Sequence, residues 1–330
     1  MPDGRGYSTQ NRRPSDISDA FFYICRKNSG KVSGNREIQI RKVTLWGALV
    51  NLLLTAGKIA AGIFGRSAAM VADGIHSLSD LMSDVVVLAF SHIASKGKDR
   101  RHSFGHGKFE TLATLIVSIK LISAGVELCK NGIVSIVSAA RGTVLPKPGM
   151  IALIAAIVSI VLKEVLYQVT VKVGRRTNST MTIANAWHHR SDALSSIGSL
   201  IGIGCAMLLG NRWTIMDPIV SCLISIAIIA VAVKMAMPSL AELLETSLPE
   251  DIENEIIETV SGVEGVRDIH DLKTRRNGIS YIIDAHIVVD PSISIVEAHE
   301  IATDVEKKLH GKYGEETQMS IHVEPDRNSL

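Results

Sequence analysis

The stretch HHRSDALSS, residues 188–196, places two histidines, an arginine and an aspartate inside a run that otherwise reads as lipid-soluble, from Ile183 to Leu209. Residues three, four, seven and eleven apart share one face of a helix. On that spacing Asn185, His188, Asp192, Ser195 and Ser199 form a single polar stripe. A second stripe stands upstream in ADGIHSLSDLMSD, residues 72–84, where Asp73, His76, Asp80 and Asp84 line up and apolar residues supply the other faces. Two apolar helices thus each present a His-x-x-x-Asp pair.

A charged group at mid-bilayer costs about 2.5–3.5 kcal/mol on insertion scales, so these stripes need compensation. His76, Asp80, His188 and Asp192 offer two imidazoles and two carboxylates from two elements, a set that suits Zn²⁺ or a similar divalent ion in tetrahedral geometry. One pair alone reads equally well as a hydrogen bond between helices. Two matching pairs favour a metal. Asp73 and Asp84 bracket their stripe and read as entrance and exit carboxylates rather than as ligands, His189 as a structural or vestibule residue, and Arg190 as facing the loop or headgroups. Lys120, Glu127, Lys130, Lys163 and Glu164 read as internal ion pairs between helices.

Six nearly uncharged segments, roughly 43–65, 68–95, 110–139, 148–172, 181–210 and 214–238, are each long enough to cross about 30 Å of hydrocarbon. The expected fold class is an α-helical membrane protein with six transmembrane helices plus a C-terminal α/β domain. The expected divisions are a disordered N-terminal segment over 1–42, a six-helix domain over 43–240, and a metal-binding and dimerisation domain over 241–330. Arg41 and Lys42, Lys96, Lys98, Arg100 and Arg101, and Lys172, Arg175 and Arg176 fall on one side of the bilayer. The positive-inside rule makes that side cytoplasmic, with both termini inside a multi-pass protein of the cell (inner) membrane. Trp46, Trp187 and Trp213 stand near segment ends, where interfacial and packing roles are equally open.

From Ala241 onward the chain holds 20 acidic against 8 basic side chains, which argues against nucleic acid as a partner. No GxxxxGK[ST] phosphate loop is present, and HEIAT, residues 299–303, lacks the second histidine of the HExxH protease motif. Cys25, Cys129, Cys205 and Cys222 show no CxxC spacing and read as packing residues. The chain reads as a non-enzyme with no catalytic residues.

In the loop DRRHSFGHGK, Asp99, His102 and His106 have spacing that could wrap one metal, against the alternative of a solvated loop whose charges set topology. The tail predicts helices near 250–261 and 294–311 and strands near 265–274, 279–290 and 316–324, an αββαβ order. Alternation turns Tyr281, Ile283, Ala285 and Ile287 to one face and His286 to the other, and turns His322 and Glu324 outward. His270, His286, His299, His322 and Glu324 together suggest a cytoplasmic metal site at a subunit interface.

The motifs ADGIHSLSD, HSFGHGKFETLA, NAWHHRSDALSS and DPIVS resemble, in order, those of the cation diffusion facilitator family, and the resemblance covers about residues 40–325. It implies six helices with a ferredoxin-like cytoplasmic domain, a homodimer, and proton-coupled export of divalent metal. Carried over by motif, the transport site falls on His76, Asp80, His188 and Asp192, choosing His188 over His189. The loop site falls on Asp99, His102 and His106, and the tail site on His270, His286, His299 and His322, with Glu324 standing where aspartate is more usual. The resemblance further implies that Lys108 and Glu245 form an ion pair clamping the subunits together. Imidazole at position 76, where several members have aspartate, favours Zn²⁺ as cargo and regulatory ligand; the alternatives are export of Fe²⁺, Mn²⁺, Cd²⁺ or Co²⁺, or a metal-sensing membrane subunit that moves nothing.

Overall fold

The computed structural model describes residues 33–64, 68–141, 150–209 and 215–327. Six long helices come first: α1 (Ser33–Phe64), α2 (Ala68–Ala94), α3 (Lys108–Ala140), α4 (Met150–Arg176), α5 (Thr180–Leu209) and α6 (Met216–Leu243). They are followed by α7 (Glu250–Ser261), β1 (Asp268–Asn277), β2 (Ser280–Val289), α8 (Ile295–Tyr313) and β3 (Gln318–Pro325). The αββαβ order of the tail is as expected from the alternation of its strands. Arg66, Lys147, Arg212, Trp213, Cys25, and the side chains of Asp73, His76, Asp80, Ser195, Ser199 and Cys205 lie outside the described residues.

Among the described residues, three helices are long and apolar enough to cross a membrane, over Arg36–Ala60, Lys108–Ala139 and Pro218–Leu243. They present Leu49, Leu53, Ile119, Val126, Leu223 and Ile226 outward, an apolar exterior fit for lipid rather than water. The helices pair chiefly as α1 with α2, α3 with α6, and α4 with α5. At Gly132 a methyl group would meet Cys222 Sγ at 2.6 Å and the Pro218 carbonyl at 3.0 Å, so α3 and α6 approach as closely as only glycine permits. Cys129 and Cys222 pack at this contact, Cys222 Sγ donating to the Cys129 carbonyl at 3.7 Å.

The first long helix begins ahead of the apolar segment that starts at residue 43. α1 already runs from Ser33, because Arg36 is anchored by the Thr177 carbonyl at 2.7 Å and by Glu110 at 2.6 Å. A charged residue that bonds to neighbouring helix ends can extend a helix past the point where hydropathy alone would stop it. At the other end α6 runs to Leu243, past residue 238, with Glu242 bonded to Thr111 at 2.7 Å.

In the tail, β1 and β2 pair antiparallel and β2 and β3 parallel, in the order β1-β2-β3. Ala285 is buried as the alternation required, and Ile283 and Ile287 of the same face pack with Ile256 and Val260 of α7 and Val305 and Leu309 of α8. Each such fully buried side chain contributes about 1.5–3 kcal/mol of transfer free energy. A capping box starts α8: Ser294 Oγ accepts from the Glu297 amide at 3.2 Å, and the Glu297 carboxylate accepts from the Ser294 amide at 2.7 Å.

The hairpin turn between β1 and β2 is seated on the loop before α3. Asn277 and Gln318 both donate to the Phe104 carbonyl, at 2.8 and 3.0 Å, and the Gly278 amide donates to Glu242 at 2.6 Å. A side chain at Gly107 would meet the Asn277 carbonyl at 2.7 Å, so glycine permits this backbone contact. Tail and bundle are thereby coupled at the end of the bundle that carries the Asp99 loop.

Candidate metal centres

Of the α5 stripe, Asn185 and His188 lie inside the bundle and Asp192 is half-buried. His188 and His189 are buried, and Asp192 meets Lys163 of α4 at 2.6 Å. The backbone of His76 and Asp80 is helical within α2, as the spacing predicted. A separate buried network joins three helices one turn toward the Asp99 loop. Asp84 of α2 accepts from Asn51 of α1 at 2.9 Å and from Asn185 of α5 at 2.7 Å, with His189 Nε2 at 3.8 Å. His189 is therefore part of a polar network at Asp84 as well as a structural residue.

Two expectations for the charged groups change. Arg190 lies over the Tyr167 ring, 4.4 Å from its centroid, and within 3.9 Å of Glu164, so it stacks on α4 instead of facing the loop. A guanidinium is planar and weakly hydrated, which suits it to an aromatic face. Lys163 and Glu164 do bridge helices, but Glu127 and Lys130 lie on the exposed face of α3, one turn apart and away from the bundle interior. Trp187 packs on Tyr167 with centroids 5.6 Å apart, whereas Trp46 is exposed on the outer face of α1.

The loop brings Asp99, His102 and His106 together, with one ligand atom from each within 4.8 Å of the others. His106 Nε2 stands 3.4 Å and His102 Nδ1 3.3 Å from the Asp99 carboxylate. The Gly97 carbonyl, 3.0 Å from His106 Nδ1, can only accept, so Nδ1 carries a proton and Nε2 is the ring nitrogen turned toward Asp99. That is the orientation a metal-bound imidazole requires. The amides of His102 and Arg101 donate to Asp99 at 2.7 and 2.8 Å and hold its carboxyl below the usual carboxylate range. Three ligands leave a tetrahedral ion one open position.

In the tail, strand register builds a row of histidines. His270 faces His286 across the antiparallel pair, and His286 faces His322 across the parallel pair. Glu324, two residues beyond His322, reaches back to His286 at 3.1 Å, His270 at 3.4 Å and His322 at 3.6 Å. His270, His286 and Glu324 likewise bring one ligand atom each within 4.8 Å of one another. His299 does not join them: it sits on the exposed face of α8 and shares only a groove with Glu324. A residue unforeseen from sequence does join. The register shift between His270 and Lys273 puts Asp271 in a left-handed conformation, φ 48°, with its carboxylate 3.6 Å from His286. Lys273, bonded to it at 2.9 Å, holds that carboxyl below its ordinary range.

Lys108 and Glu245 are also brought together, within one chain. Arg275 of β1 meets the same Glu245 at 3.1 Å, so the pair ties the start of α3 to the tail of its own subunit.

A helical membrane domain joined to a small α/β domain with metal-ligating side chains defines the class of membrane metal carriers. Residues 44–244 match the cation efflux transmembrane domain and residues 248–326 the cation efflux protein cytoplasmic domain, and the chain belongs to this cation efflux, or cation diffusion facilitator, family of metal cation transporters. It is 34% identical over 295 residues to metal tolerance protein C1 of Arabidopsis thaliana, a match covering 86% of this chain and 62% of that relative. It is 32% identical over 298 residues to the manganese efflux system protein MneP of Bacillus subtilis (strain 168), covering 89% of this chain and 99% of that one. With the magnetosome protein MamM of Paramagnetospirillum magneticum (strain AMB-1) it shares 29% over 272 residues, 82% of this chain and 84% of the relative.

Proposed function

We propose that the protein is a secondary transporter that exports a divalent cation, Zn²⁺ first, from the cytoplasm in exchange for protons, as a homodimer whose six long helices all cross the membrane. Both termini lie in the cytoplasm of a cell whose inner membrane holds the bundle, and the tail is a ferredoxin-like cytoplasmic domain over 241–330. The observation that carries this reading is the contact of Lys163 with Asp192 at 2.6 Å inside the helical bundle. A carboxylate on the α5 stripe has recruited a tethered cation, one turn from buried His188. An arriving metal ion takes the place of that ammonium, with His76 and Asp80 of α2 completing the ligand set.

Metal and protons compete for the same lone pairs, since a ligating imidazole must be neutral and a ligating carboxylate ionised. Loading from the cytoplasmic face releases protons; reprotonation from the opposite face expels the ion. Alternating access needs a midplane site reachable from each side in turn, which two facing polar stripes provide and a mere sensor does not require. In the tail, His270, His286, His322 and Glu324, with Asp271, form the regulatory centre, and His299 contributes from the edge of the subunit. Asp99, His102 and His106 collect the ion at the membrane surface.

One observation favours a second cargo: the 32% identity with a manganese efflux protein extends over 99% of that relative. The test is uptake into inside-out vesicles with Zn²⁺ and Mn²⁺ reporters. Saturable Zn²⁺ uptake that outruns Mn²⁺ supports the proposal, faster Mn²⁺ uptake selects the second cargo, and no uptake of either defeats both.

A further inference from the structure

We infer that Asp84, Asn51, Asn185 and His189 form a second cation-holding position, which the cation occupies between the Asp99 loop and the His188/Asp192 level; the inference rests on the transport reading given above. All four side chains are buried, with exposures of 0%, 2%, 1% and 1%, and they come from three different helices. Asp84 has no lysine or arginine within ion-pair distance among the described residues; its partners are the two asparagine amides and the His189 ring. An enclosed carboxylate held only by neutral donors is an incomplete arrangement.

The two asparagine oxygens are the ligands that would complete it. Asn51 Oδ1, Asn185 Oδ1 and His189 Nδ1 are buried without a hydrogen-bond partner. Each asparagine now turns its amide nitrogen to Asp84, at 2.9 and 2.7 Å. Half a turn of either carboxamide exchanges nitrogen for oxygen at nearly the same place. Oxygens would then stand just under 3 Å from the carboxylate oxygens, close to the separation of about 3 Å between adjacent ligands bonded at ~2.1 Å to one divalent ion. Without a cation that arrangement is repulsive; around one it is a coordination shell, completed by His189 Nε2, which lies 3.5 Å from the Asn185 amide. Gly47 leaves room beside these atoms, because a methyl group there would stand 3.6 Å from His189 Nε2 and 3.9 Å from Asp84 Oδ1.

Depth and chemistry fit a stage on the path. Asp84 lies four residues from Asp80 toward the loop end of α2, about 6 Å along the axis. Thr55, one turn further along α1 from Asn51, is buried with an unpartnered hydroxyl and continues the polar track. One carboxylate, two amide oxygens and an imidazole hold a divalent ion more weakly than two carboxylates and two imidazoles, as conduction between adjacent positions demands.

The test uses the full-length purified chain, counting bound Co²⁺ by equilibrium dialysis and measuring Co²⁺ flux in liposomes. Asp84→Asn should lose one Co²⁺ equivalent per chain and slow flux about tenfold or more, the scale typical of impaired metal shells. The double variant Asp84→Asn/Asn51→Asp moves the carboxylate to α1 and should restore both. Asn51→Asp alone adds a carboxylate and should tighten Co²⁺ at this position about tenfold; it also serves if Asp84→Asn does not fold. An unchanged count in folded Asp84→Asn, or no tightening in folded Asn51→Asp, overturns the site. A lost equivalent with unchanged flux overturns its place on the path. If the native chain moves no metal yet Asp84→Asn still loses one equivalent, the site stands and the transport reading falls.

Discussion

Replacing Lys163 with methionine removes the ammonium from Asp192 while keeping an unbranched chain of similar length. At 2.6 Å the gross attraction between the two charges is about 6 kcal/mol for an effective dielectric near 20. Desolvation of both groups offsets most of it, and hydrogen bonds to charged partners net about 1.5–3 kcal/mol. A metal entering the native site must displace this interaction, so its removal should tighten binding at Asp192 by about 10- to 150-fold, at about 1.4 kcal/mol per tenfold. Release should slow, lowering turnover although affinity rises. The assay is calorimetric Zn²⁺ titration of purified chain carrying Asp99→Ala and His286→Ala, so that loop and tail contribute little. Lys163→Arg retains a cation and should remain within about threefold of native affinity, a spread of roughly 0.7 kcal/mol. Equal or weaker Zn²⁺ binding in a folded Lys163→Met chain would refute the displacement argument.

Asp192→Ala or Asp80→Ala should abolish metal flux while leaving the chain folded, as read by liposome flux alongside size-exclusion profiles; full flux in either variant removes that residue from the ligand set. His286→Ala together with His322→Ala should weaken Zn²⁺-induced compaction of the tail, and an unaltered scattering response would remove the strand histidines from the regulatory site. Gly107→Ala forces a methyl group to 2.7 Å from the Asn277 carbonyl, where backbone cannot yield cheaply, and should cost about 1–3 kcal/mol, seen as a lowered thermal midpoint. The Asp99 carboxyl is held below its ordinary value of 3.8 by the His102 and Arg101 amides. A depressed folded-state pKa gives a contribution present above 3.8 and lost as pH falls through the lower folded value. A carboxyl NMR titration should therefore place the Asp99 midpoint below 3.8, and a midpoint at or above it contradicts the observed loop hydrogen bonds.

The six long helices were legible because a 3.6-residue period survives in an apolar run that carries a polar stripe. Helix ends were less so. Arg36 and Glu242 look like residues that stop a membrane helix, and they extend one instead, because Glu110, Thr177, Thr111 and the Gly278 amide wait for them in other segments. The tail strands announced which faces they bury, but the row His270–His286–His322 depends on register, which alternation leaves free. Asp271 enters that cluster only through an irregularity in β1, and His299 is set apart by the path of α8. Asn51, a lone amide in an apolar run, has no periodic signal; it acquires meaning only when α1 meets Asp84 of α2.

The proposed transport exchanges metal for protons at the buried His188/Asp192 level. The most direct measurement loads liposomes containing the native chain with a Zn²⁺ reporter and a pH dye, imposes a pH difference, and follows both signals together. Zn²⁺ movement should accelerate when the receiving side is acidified, protons should move the opposite way in step with it, and both signals should vanish with Asp192→Ala. Zn²⁺ flux indifferent to the pH difference, with no proton countermovement, would contradict it and leave a channel or uniporter in its place.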